Sequence, residues 1–137
     1  MKQKAVIVDI DGTVAKRTGR DPYDYSRVNE DLPKNDVIMA VASLWKAGFK
    51  IIFVSARDDS CFEETYEWLC RYCPPFVKLY MRKSGDTRND GVVKREIYEK
   101  LIEPEYDVKL VFDDRQRVVD MWRSIGLTCL QVDYGDF

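Results

Sequence analysis

The chain has 137 residues, of which 45% are hydrophobic and 34% are charged, with a formal net charge of -2. This length fits one α/β domain with a single core, and the near-balance of charge does not predict bulk affinity for a polyanion. The sequence contains no histidine, which excludes Ser-His-Asp hydrolases, phosphohistidine enzymes and His-ligated zinc sites, so any catalysis must use carboxylates, Lys, Arg, Ser or Cys.

Short apolar runs, each long enough for one buried strand, alternate with helical patterns along the chain. They cover residues 5–8, 51–54, 77–81, 110–112 and 129–132. Near-continuous apolar strands are typical of a parallel sheet buried on both faces, with right-handed crossovers between strands. The sequence therefore predicts an α/β fold with a doubly wound, five-stranded parallel sheet of the Rossmann-like type.

Apolar positions with helical spacing predict helices between these strands. The first occupies about 37–45, between Pro33 and Gly48. The second is expected to begin at a Ser60–Glu63 capping box and to bury positions 62, 66, 69, 70 and 73. The third is expected to be capped by Asp90 and to end before Pro104, and the last covers about 118–125.

Residues 14–32 interrupt this alternation within the single domain that we predict for 1–137. The segment is polar, rich in turn residues and longer than an ordinary strand-to-helix loop, so we expect a small cap-like insert with a functional role. It is too short to form a lid that encloses a metabolite, and an open mouth suits the end of a polymer. For Tyr23 and Tyr25, packing onto the sheet is favoured over stacking on a terminal base.

The cysteines and the N-terminus predict a soluble intracellular protein. Cys61, Cys70, Cys73 and Cys129 do not form the pattern of a disulfide framework, and Cys70-x-x-Cys73 closes a helical pattern instead of following a strand. Residues 1–4 are too short for a signal peptide and no long apolar stretch exists. We therefore expect structural thiols and a cytoplasmic location, in the host cytoplasm if the chain is phage-encoded.

Polar side chains follow the predicted strands at their carboxyl ends, where open α/β sheets bind ligands. Those with suitable chemistry are Asp9, Asp11 and Thr13, then Ser55 and Arg57, then Arg82, Lys83, Arg88, Asp90 and Lys94, and finally Asp113, Asp114 and Arg115. Converging carboxylates and cations without histidine predict an oxygen-ligated Mg²⁺ site beside an anion site.

The spacing of the first acidic pair favours a catalytic role over an ordinary strand end. Residues i and i+2 of an extended segment point to the same side, so Asp9 and Asp11 face one substrate. Gly12 and Thr13 allow a sharp turn that presents backbone N–H groups to a phosphoryl oxygen. The full apolar-run-DxDGT string is far more specific than a lone DxD.

These segments resemble the four motifs of the haloacid-dehalogenase superfamily, here residues 6–13, Ser55, Lys94 and 112–114. The resemblance implies that Asp9 is the nucleophile that forms an aspartyl-phosphate and that Asp11 is the general acid and base. It also implies that Ser55 donates to a phosphoryl oxygen and that Lys94 offsets the negative charge at the nucleophile.

The same resemblance implies a Mg²⁺ cofactor. Asp113 and Asp114 are expected to hold it together with Asp9 and the backbone carbonyl of Asp11. The positive charge would let an anionic carboxylate approach an anionic phosphate.

From end to end, the chain is also similar to the phosphatase domains of the T-even bacteriophage polynucleotide kinase/3′-phosphatase family. The similar segments are 15–24, 85–94, 107–110, 113–115 and 131–137. The resemblance implies removal of 3′-phosphate, or of 2′,3′-cyclic phosphate, from DNA or RNA ends in nucleic-acid repair. It makes Arg20, Arg57 and Asp90 expected essential residues, and we expect Thr13 and Arg88 to contact substrate as well.

The 137 residues contain no P-loop, so no kinase domain is expected here. The chain is either a free-standing phosphatase or a domain excised from a longer protein. A separate kinase or ligase is the expected partner in the repair pathway.

The basic residues near the strand ends suggest contact with substrate phosphates. Bidentate guanidinium groups at Arg20 and Arg57 are expected to clamp a phosphoryl group. For Arg17, Arg82, Lys83 and Arg95, a solvated charge is about as plausible as a phosphate contact.

Two other functional classes stay open at this point. A nucleotidase or another small-molecule phosphatase would use the same catalytic residues. A phosphate-binding or receiver-like module is less favoured, because a receiver needs an acidic acceptor on its third strand, where 77–81 has none, and an inactive relative would lack Asp9 or Asp11.

Overall fold

A computed structural model describes residues 1–135 of the chain. The strands are β1 (Gln3–Val8), β2 (Ala15–Lys16), β3 (Leu32–Pro33), β4 (Lys50–Asp58), β5 (Lys78–Arg82), β6 (Tyr106–Arg115) and β7 (Cys129–Gly135). The α-helices are α1 (Asn35–Lys46), α2 (Phe62–Tyr72), α3 (Asp90–Ile97) and α4 (Gln116–Ser124). Short 3₁₀ turns cover Tyr25–Glu30 and Asp59–Cys61, and a π-helical turn at Tyr98–Ile102 extends α3. Asp136 and Phe137, the last two residues of the similar segment 131–137, lie outside the described residues.

The main sheet has five parallel strands in the order β5-β4-β1-β6-β7. The prediction of a doubly wound parallel sheet is confirmed, and each predicted strand lies in it. The first strand sits at the centre, between β4 and β6. Its carboxyl end is therefore flanked by the ends of both neighbouring strands, which is where the predicted site residues meet.

Both faces of this sheet are covered by apolar side chains. Val6, Val8 and Phe53 belong to one cluster, which packs under α1 and α2, while Ile7 and Ile52 belong to a second cluster under α3 and α4. Successive side chains of a strand point to opposite faces, so strands buried on both sides need apolar residues at every position. Burial of each such side chain contributes about 1.5–3 kcal/mol.

Two predicted helix caps are wrong. The helix α2 begins at Phe62 without a side-chain cap, because Asp58 caps the preceding 3₁₀ turn by accepting a hydrogen bond from the Ser60 N–H at 2.8 Å. At α3 the cap is Asn89, which accepts from the Gly91 N–H at 2.9 Å, while the Asp90 carboxylate is bound by arginines.

The buried face of α2 also differs from the prediction. The structure buries Thr65, Trp68 and Leu69, whereas Cys70 is exposed and Tyr66 is 44% exposed. The cysteines are free thiols, as expected, and burial raises the pKa of Cys73 to about 12.

The insert at residues 14–32 folds into a small hairpin around a 3₁₀ turn. Its two ends, β2 and β3, pair antiparallel, and Val14 and Val28 are buried. Among residues 1–135, no helix is long and apolar enough to cross a bilayer.

Candidate active site

The carboxylate of Asp9 is fixed at the end of the central strand by two donors. Lys94 Nζ donates to Asp9 Oδ1 at 2.8 Å, and Thr13 Oγ1 donates to Asp9 Oδ2 at 2.9 Å. Burial and the nearby Asp113 charge raise the pKa of Asp9, and Lys94 opposes that rise. The predicted proximity of Asp9 and Lys94 is therefore present, whereas Thr13 is turned onto Asp9.

Three carboxylates form a cluster suited to a cation. One ligand atom from each of Asp9, Asp113 and Asp114 lies within 4.8 Å of the others. Lys94 Nζ also donates to Asp113 Oδ2 at 2.9 Å, and although its burial would lower its pKa, Asp113 and Asp9 raise it. Three carboxylates facing one ammonium leave excess negative charge, and clustered carboxylate oxygens are the ligands that Mg²⁺ prefers. The residues present thus fit a divalent cation.

The close approach of Gly12 to this cluster explains why a glycine stands there. Its φ is +82°, and a Cβ added to it would lie 2.1 Å from Asp114 Oδ2. Any side chain at Gly12 would therefore displace Asp114 in addition to straining the backbone.

The Asp11 side chain is held by arginines and not by the carboxylate cluster. Arg57 donates from Nε to Asp11 Oδ2 and from Nη2 to Asp11 Oδ1, both at 2.9 Å, and Arg20 Nη2 donates to Oδ1 at 3.2 Å. Burial would raise the pKa of Asp11, but Arg57 and Arg20 outweigh it and hold that pKa below its usual value. The Asp11 carboxylate thus faces the cavity beside Asp9 in a fixed orientation.

Asp31 is a site residue that the sequence did not reveal. It is 2% exposed, and it accepts from Arg20 Nε and Nη2 and from Arg57 Nη2, each at 2.9 Å. The Trp68 indole N–H donates to its backbone carbonyl at 2.9 Å. No local pattern separates Asp31 from the other acids of the insert, because two of its partners, Arg57 and Trp68, come from distant parts of the chain.

Arg20 and Arg57, which the sequence predicted to clamp phosphate, instead donate hydrogen bonds to Asp31 and Asp11. The remaining donors are also engaged. Arg57 Nη1 donates to Thr65 Oγ1 at 3.0 Å, and Arg20 Nη1 donates to backbone carbonyls of the insert. Both arginine side chains are only 1% exposed. In this geometry the two arginines orient Asp11.

Asp90 is shared by two arginines at the rim of the cavity. Arg82 Nη2 donates to Asp90 Oδ1 at 2.6 Å, and Arg115 Nη1 contacts Asp90 Oδ2. Arg82 also donates to the backbone carbonyl of Ala56 at 2.9 Å, which ties β5 to the end of β4. The pair of arginines therefore has a fixed position.

Of the other predicted substrate contacts, Arg88 lines the cavity whereas Ser55 does not. Ser55 is buried, and its Oγ accepts from the Arg57 backbone N–H at 3.1 Å. Arg88 lines the cavity but is exposed and paired with Asp86 and Glu96. Arg95 pairs with Glu99 away from the cavity, which favours the solvated-charge alternative for this residue.

A cavity of about 880 Å³ is lined by many of these groups, whereas Thr13, Arg20, Asp31 and Ser55 are not among its lining residues. Its lining includes Asp9, Asp11, Asp113 and Asp114, and the insert contributes Lys16, Arg17, Pro22, Tyr23 and Tyr25. The side chain of Asp11 is 38% exposed, so the insert borders the cavity without sealing it. This agrees with the expectation of an open mouth.

The sequence matches the family described as "Polynucleotide kinase PNKP phosphatase domain" over residues 3–137. It is 40% identical over 127 residues to a protein of Autographa californica nuclear polyhedrosis virus described as a bifunctional polynucleotide kinase/RNA ligase. The fold is similar, with a TM-score of 0.95 and 40% identity, to a chain in the structure of the Pnkp1/Rnl/Hen1 RNA repair complex.

These relatives are longer than the chain. The match covers 90% of the chain but 18% of the viral protein, and 99% of the chain but 44% of the repair-complex chain. A D,D-heptose bisphosphate phosphatase from B. bronchiseptica, in complex with magnesium and phosphate, is 13% identical with a TM-score of 0.64, over 94% of the chain and 80% of that protein. That similarity shows the fold alone.

Proposed function

The chain belongs to the family of PNKP phosphatase domains, and from that membership we propose that it is a Mg²⁺-dependent phosphatase that removes 3′-phosphates from DNA or RNA ends. The observation that carries the proposal is the placement of Asp9, fixed between Lys94 and Thr13, beside the arginine-held Asp11 in one open cavity. A nucleophile and a proton donor facing one space is the arrangement that phosphomonoester hydrolysis through a covalent intermediate requires.

In the first step a carboxylate oxygen of Asp9 attacks phosphorus, and the bond between phosphorus and the 3′ oxygen breaks. Asp11 donates a proton to that oxygen, so the product leaves as an alcohol. Because Arg57 and Arg20 hold the pKa of Asp11 below its usual value, we expect this step to slow as the pH rises above that pKa. Lys94 and Thr13 fix the rotamer of Asp9, which reduces the entropy lost in reaching the attack geometry.

In the second step water attacks phosphorus of the aspartyl-phosphate. Asp11, now ionised, accepts the proton from that water, and Asp9 is released with inorganic phosphate. Arg57 and Arg20 keep the same carboxylate in place for both proton transfers.

We infer that Asp9, Asp113 and Asp114 would hold the Mg²⁺ ion, whose charge would offset repulsion between carboxylate and phosphate. Lys94 lies between Asp9 and Asp113 and holds those ligands in position. Among these residues, Asp114 depends on Gly12 for its space.

A polynucleotide end, as opposed to a small metabolite, is supported by the open mouth of the cavity and by its charge. The cavity is open to solvent beside Asp11. Lys16, Arg17 and Arg117 line it and make no ion pair with an acid among residues 1–135. Unpaired cations of this kind suit successive phosphates of a strand.

The relatives support a role in repair alongside a ligase. The viral relative is described as a polynucleotide kinase/RNA ligase, and the repair complex contains Rnl and Hen1 with Pnkp1. We propose that the chain, alone or as part of a longer protein, prepares 3′ ends for a kinase or ligase partner.

Phosphate release tests the function directly. A DNA or RNA oligonucleotide with a 3′-phosphate is compared with 3′-dTMP by kcat/KM, with Mg²⁺ and with EDTA, for the wild type and for Asp9→Asn. The proposal expects Mg²⁺-dependent release that favours the oligonucleotide and is abolished in Asp9→Asn. The exposed Asp36→Asn, at the first turn of α1 and outside the cavity, is the matched control and retains activity.

Other outcomes separate the remaining classes. Faster release from 3′-dTMP would establish a nucleotidase on the same residues. Release from neither substrate would contradict the enzymatic proposal and favour a phosphate-binding module.

A further inference from the structure

Tyr23 is an exposed aromatic residue at the mouth of the cavity. Its side chain lines the cavity, yet the residue is 77% exposed. Tyr25, two positions later, is half-buried, and burial raises its pKa. The expected packing of the insert tyrosines onto the protein therefore applies to Tyr25, while the ring of Tyr23 faces solvent.

The backbone around Tyr23 is fixed even though its ring is exposed. Arg20 Nη1 lies 3.3–3.4 Å from the carbonyl oxygens of Asp21, Pro22 and Asp24, which flank Tyr23 on both sides. The Tyr23 N–H donates to Asp21 Oδ1 at 2.9 Å. Because the backbone of the loop is anchored, only the two side-chain torsions of Tyr23 have to be fixed when another surface covers the ring.

The same arginine connects this loop to the proton donor. Arg20 also donates to Asp11 Oδ1 at 3.2 Å and is held by Asp31. Because Asp11 protonates the 3′ oxygen in the proposed reaction, the nucleoside that carries this oxygen would bind in the cavity that Tyr23 also lines. Its base is the part of that nucleoside suited to contact an aromatic ring.

We propose that Tyr23 stacks on the base of the 3′-terminal nucleotide and is a specificity-determining residue for nucleoside 3′-phosphates. This inference rests on the proposed function, and it assigns the side of the cavity on which the terminal nucleoside binds. Arg17, on the same insert and without an ion pair among the described residues, lines the same cavity and is suited to contact a phosphate of the strand. Stacking is tolerant of base identity because every base has a π face.

The test is a cycle of two changes, one in the protein and one in the substrate. Wild type, Tyr23→Phe and Tyr23→Ala are compared on a 3′-phosphorylated oligonucleotide and on the same oligonucleotide whose last nucleotide lacks its base. Stacking predicts that Tyr23→Ala raises KM on the complete substrate by roughly 5- to 150-fold, with a smaller effect on kcat, and that Tyr23→Phe retains the wild-type KM. On the abasic substrate the wild type and Tyr23→Ala are expected to have similar KM values.

Each alternative result is distinct. An equal loss for Tyr23→Ala on both substrates, or no loss on either, overturns stacking while leaving the phosphatase assignment intact. Absence of phosphate release from both oligonucleotides by the wild type overturns the proposed function and the stacking with it. Tyr134→Ala, at an exposed tyrosine outside the cavity lining, is the control for loss of an exposed aromatic ring.

Discussion

At the scale of single residues, the orientation of Asp11 depends on a buried network and not on Asp11 alone. Asp31 lies opposite Asp11 across the guanidinium groups of Arg20 and Arg57. Two buried guanidinium groups between two carboxylates are electrostatically balanced, and the N–H donors of each arginine have several hydrogen-bond acceptors. The network therefore fixes the proton donor with groups that need not touch the substrate.

Replacement of Asp31 by Asn tests this arrangement. The change leaves two buried guanidinium groups with one carboxylate, so we expect unfolding free energy to fall by about 3–5 kcal/mol. Misplacement of Asp11 is expected to lower kcat by about 100-fold or more. Glu30→Gln, at the neighbouring exposed acid paired with Arg27, is the matched control and is expected to change both quantities little.

The choice of substrate separates positioning from general destabilisation in Asp31→Asn. With p-nitrophenyl phosphate as substrate, the leaving group departs as p-nitrophenolate and needs no proton from Asp11. We therefore expect Asp31→Asn to retain a burst of p-nitrophenolate while its steady-state turnover falls. Loss of the burst at a temperature where the variant is folded would contradict a role limited to orienting Asp11.

Gly12 offers a second prediction at this scale. Gly12→Ala places a Cβ where Asp114 Oδ2 lies, and Gly19→Ala creates similar backbone strain at φ +73° with no atom within 4 Å. We expect the positive φ to cost both variants about 1 kcal/mol of unfolding free energy. Of the two, only Gly12→Ala is expected to raise the Mg²⁺ concentration needed to stabilise the fold, because only its Cβ displaces Asp114. Thermal unfolding at a series of Mg²⁺ concentrations measures this, and equal Mg²⁺ responses in the two variants would contradict it.

At the scale of elements, α4 supports the acidic end of β6. The fully buried Trp122 donates from its indole N–H to Asp113 Oδ2 at 3.2 Å. Its ring also packs edge-on against Tyr98. A single residue thus couples the packing of α4 to the position of a proposed metal ligand.

Trp122→Phe keeps most of the packing and removes that hydrogen bond. We expect Mg²⁺ affinity, measured by calorimetry, to fall about 10-fold, as is typical when a group that orients a metal ligand is lost. Trp45→Phe, at a half-exposed tryptophan of α1, is the control and is expected to keep wild-type affinity. An unchanged affinity in Trp122→Phe would show that Lys94 and the Asp114 backbone N–H, which also donate to Asp113, suffice to position it.

Most elements of the fold were predictable, since period and composition are local properties of the chain. Apolar runs of strand length locate the strand that Asp9 follows and the strands that carry Ser55 and Asp113, although β4 and β6 continue beyond the apolar runs to Asp58 and Arg115. The two wrong helix-cap predictions reflect competition for one hydrogen-bonding group. Asp58 accepts a hydrogen bond from the Ser60 N–H, and two arginines pair with the Asp90 carboxylate, so neither predicted cap forms. Such choices depend on three-dimensional neighbours, and Asp31 was missed for the same reason.

At the scale of the whole molecule, a nearly neutral chain has a locally basic cavity mouth. The formal net charge is -2, yet Lys16, Arg17 and Arg117 stand unpaired around the opening within the described part of the chain. Paired acids and arginines occupy the centre, where they orient Asp11 and Asp9. The rim cations can therefore contact a strand, and Arg17 also lies close enough to Asp11 for its charge to lower the pKa of that carboxyl.

Ionic strength tests this division between centre and rim. If rim cations contact substrate phosphates, kcat/KM for a 3′-phosphorylated oligonucleotide falls with salt, and loss of one contact reduces the logarithmic slope by about 0.7 for a single strand. We therefore expect Arg17→Ala and Arg117→Ala each to give a shallower slope through KM, with kcat preserved. Arg71→Ala, at an exposed arginine of α2 outside the cavity, is expected to keep the wild-type slope. If all three variants keep the wild-type slope, the strand does not contact Arg17 or Arg117. A fall in kcat in Arg17→Ala or Arg117→Ala would mean that these cations also act on the reacting phosphate.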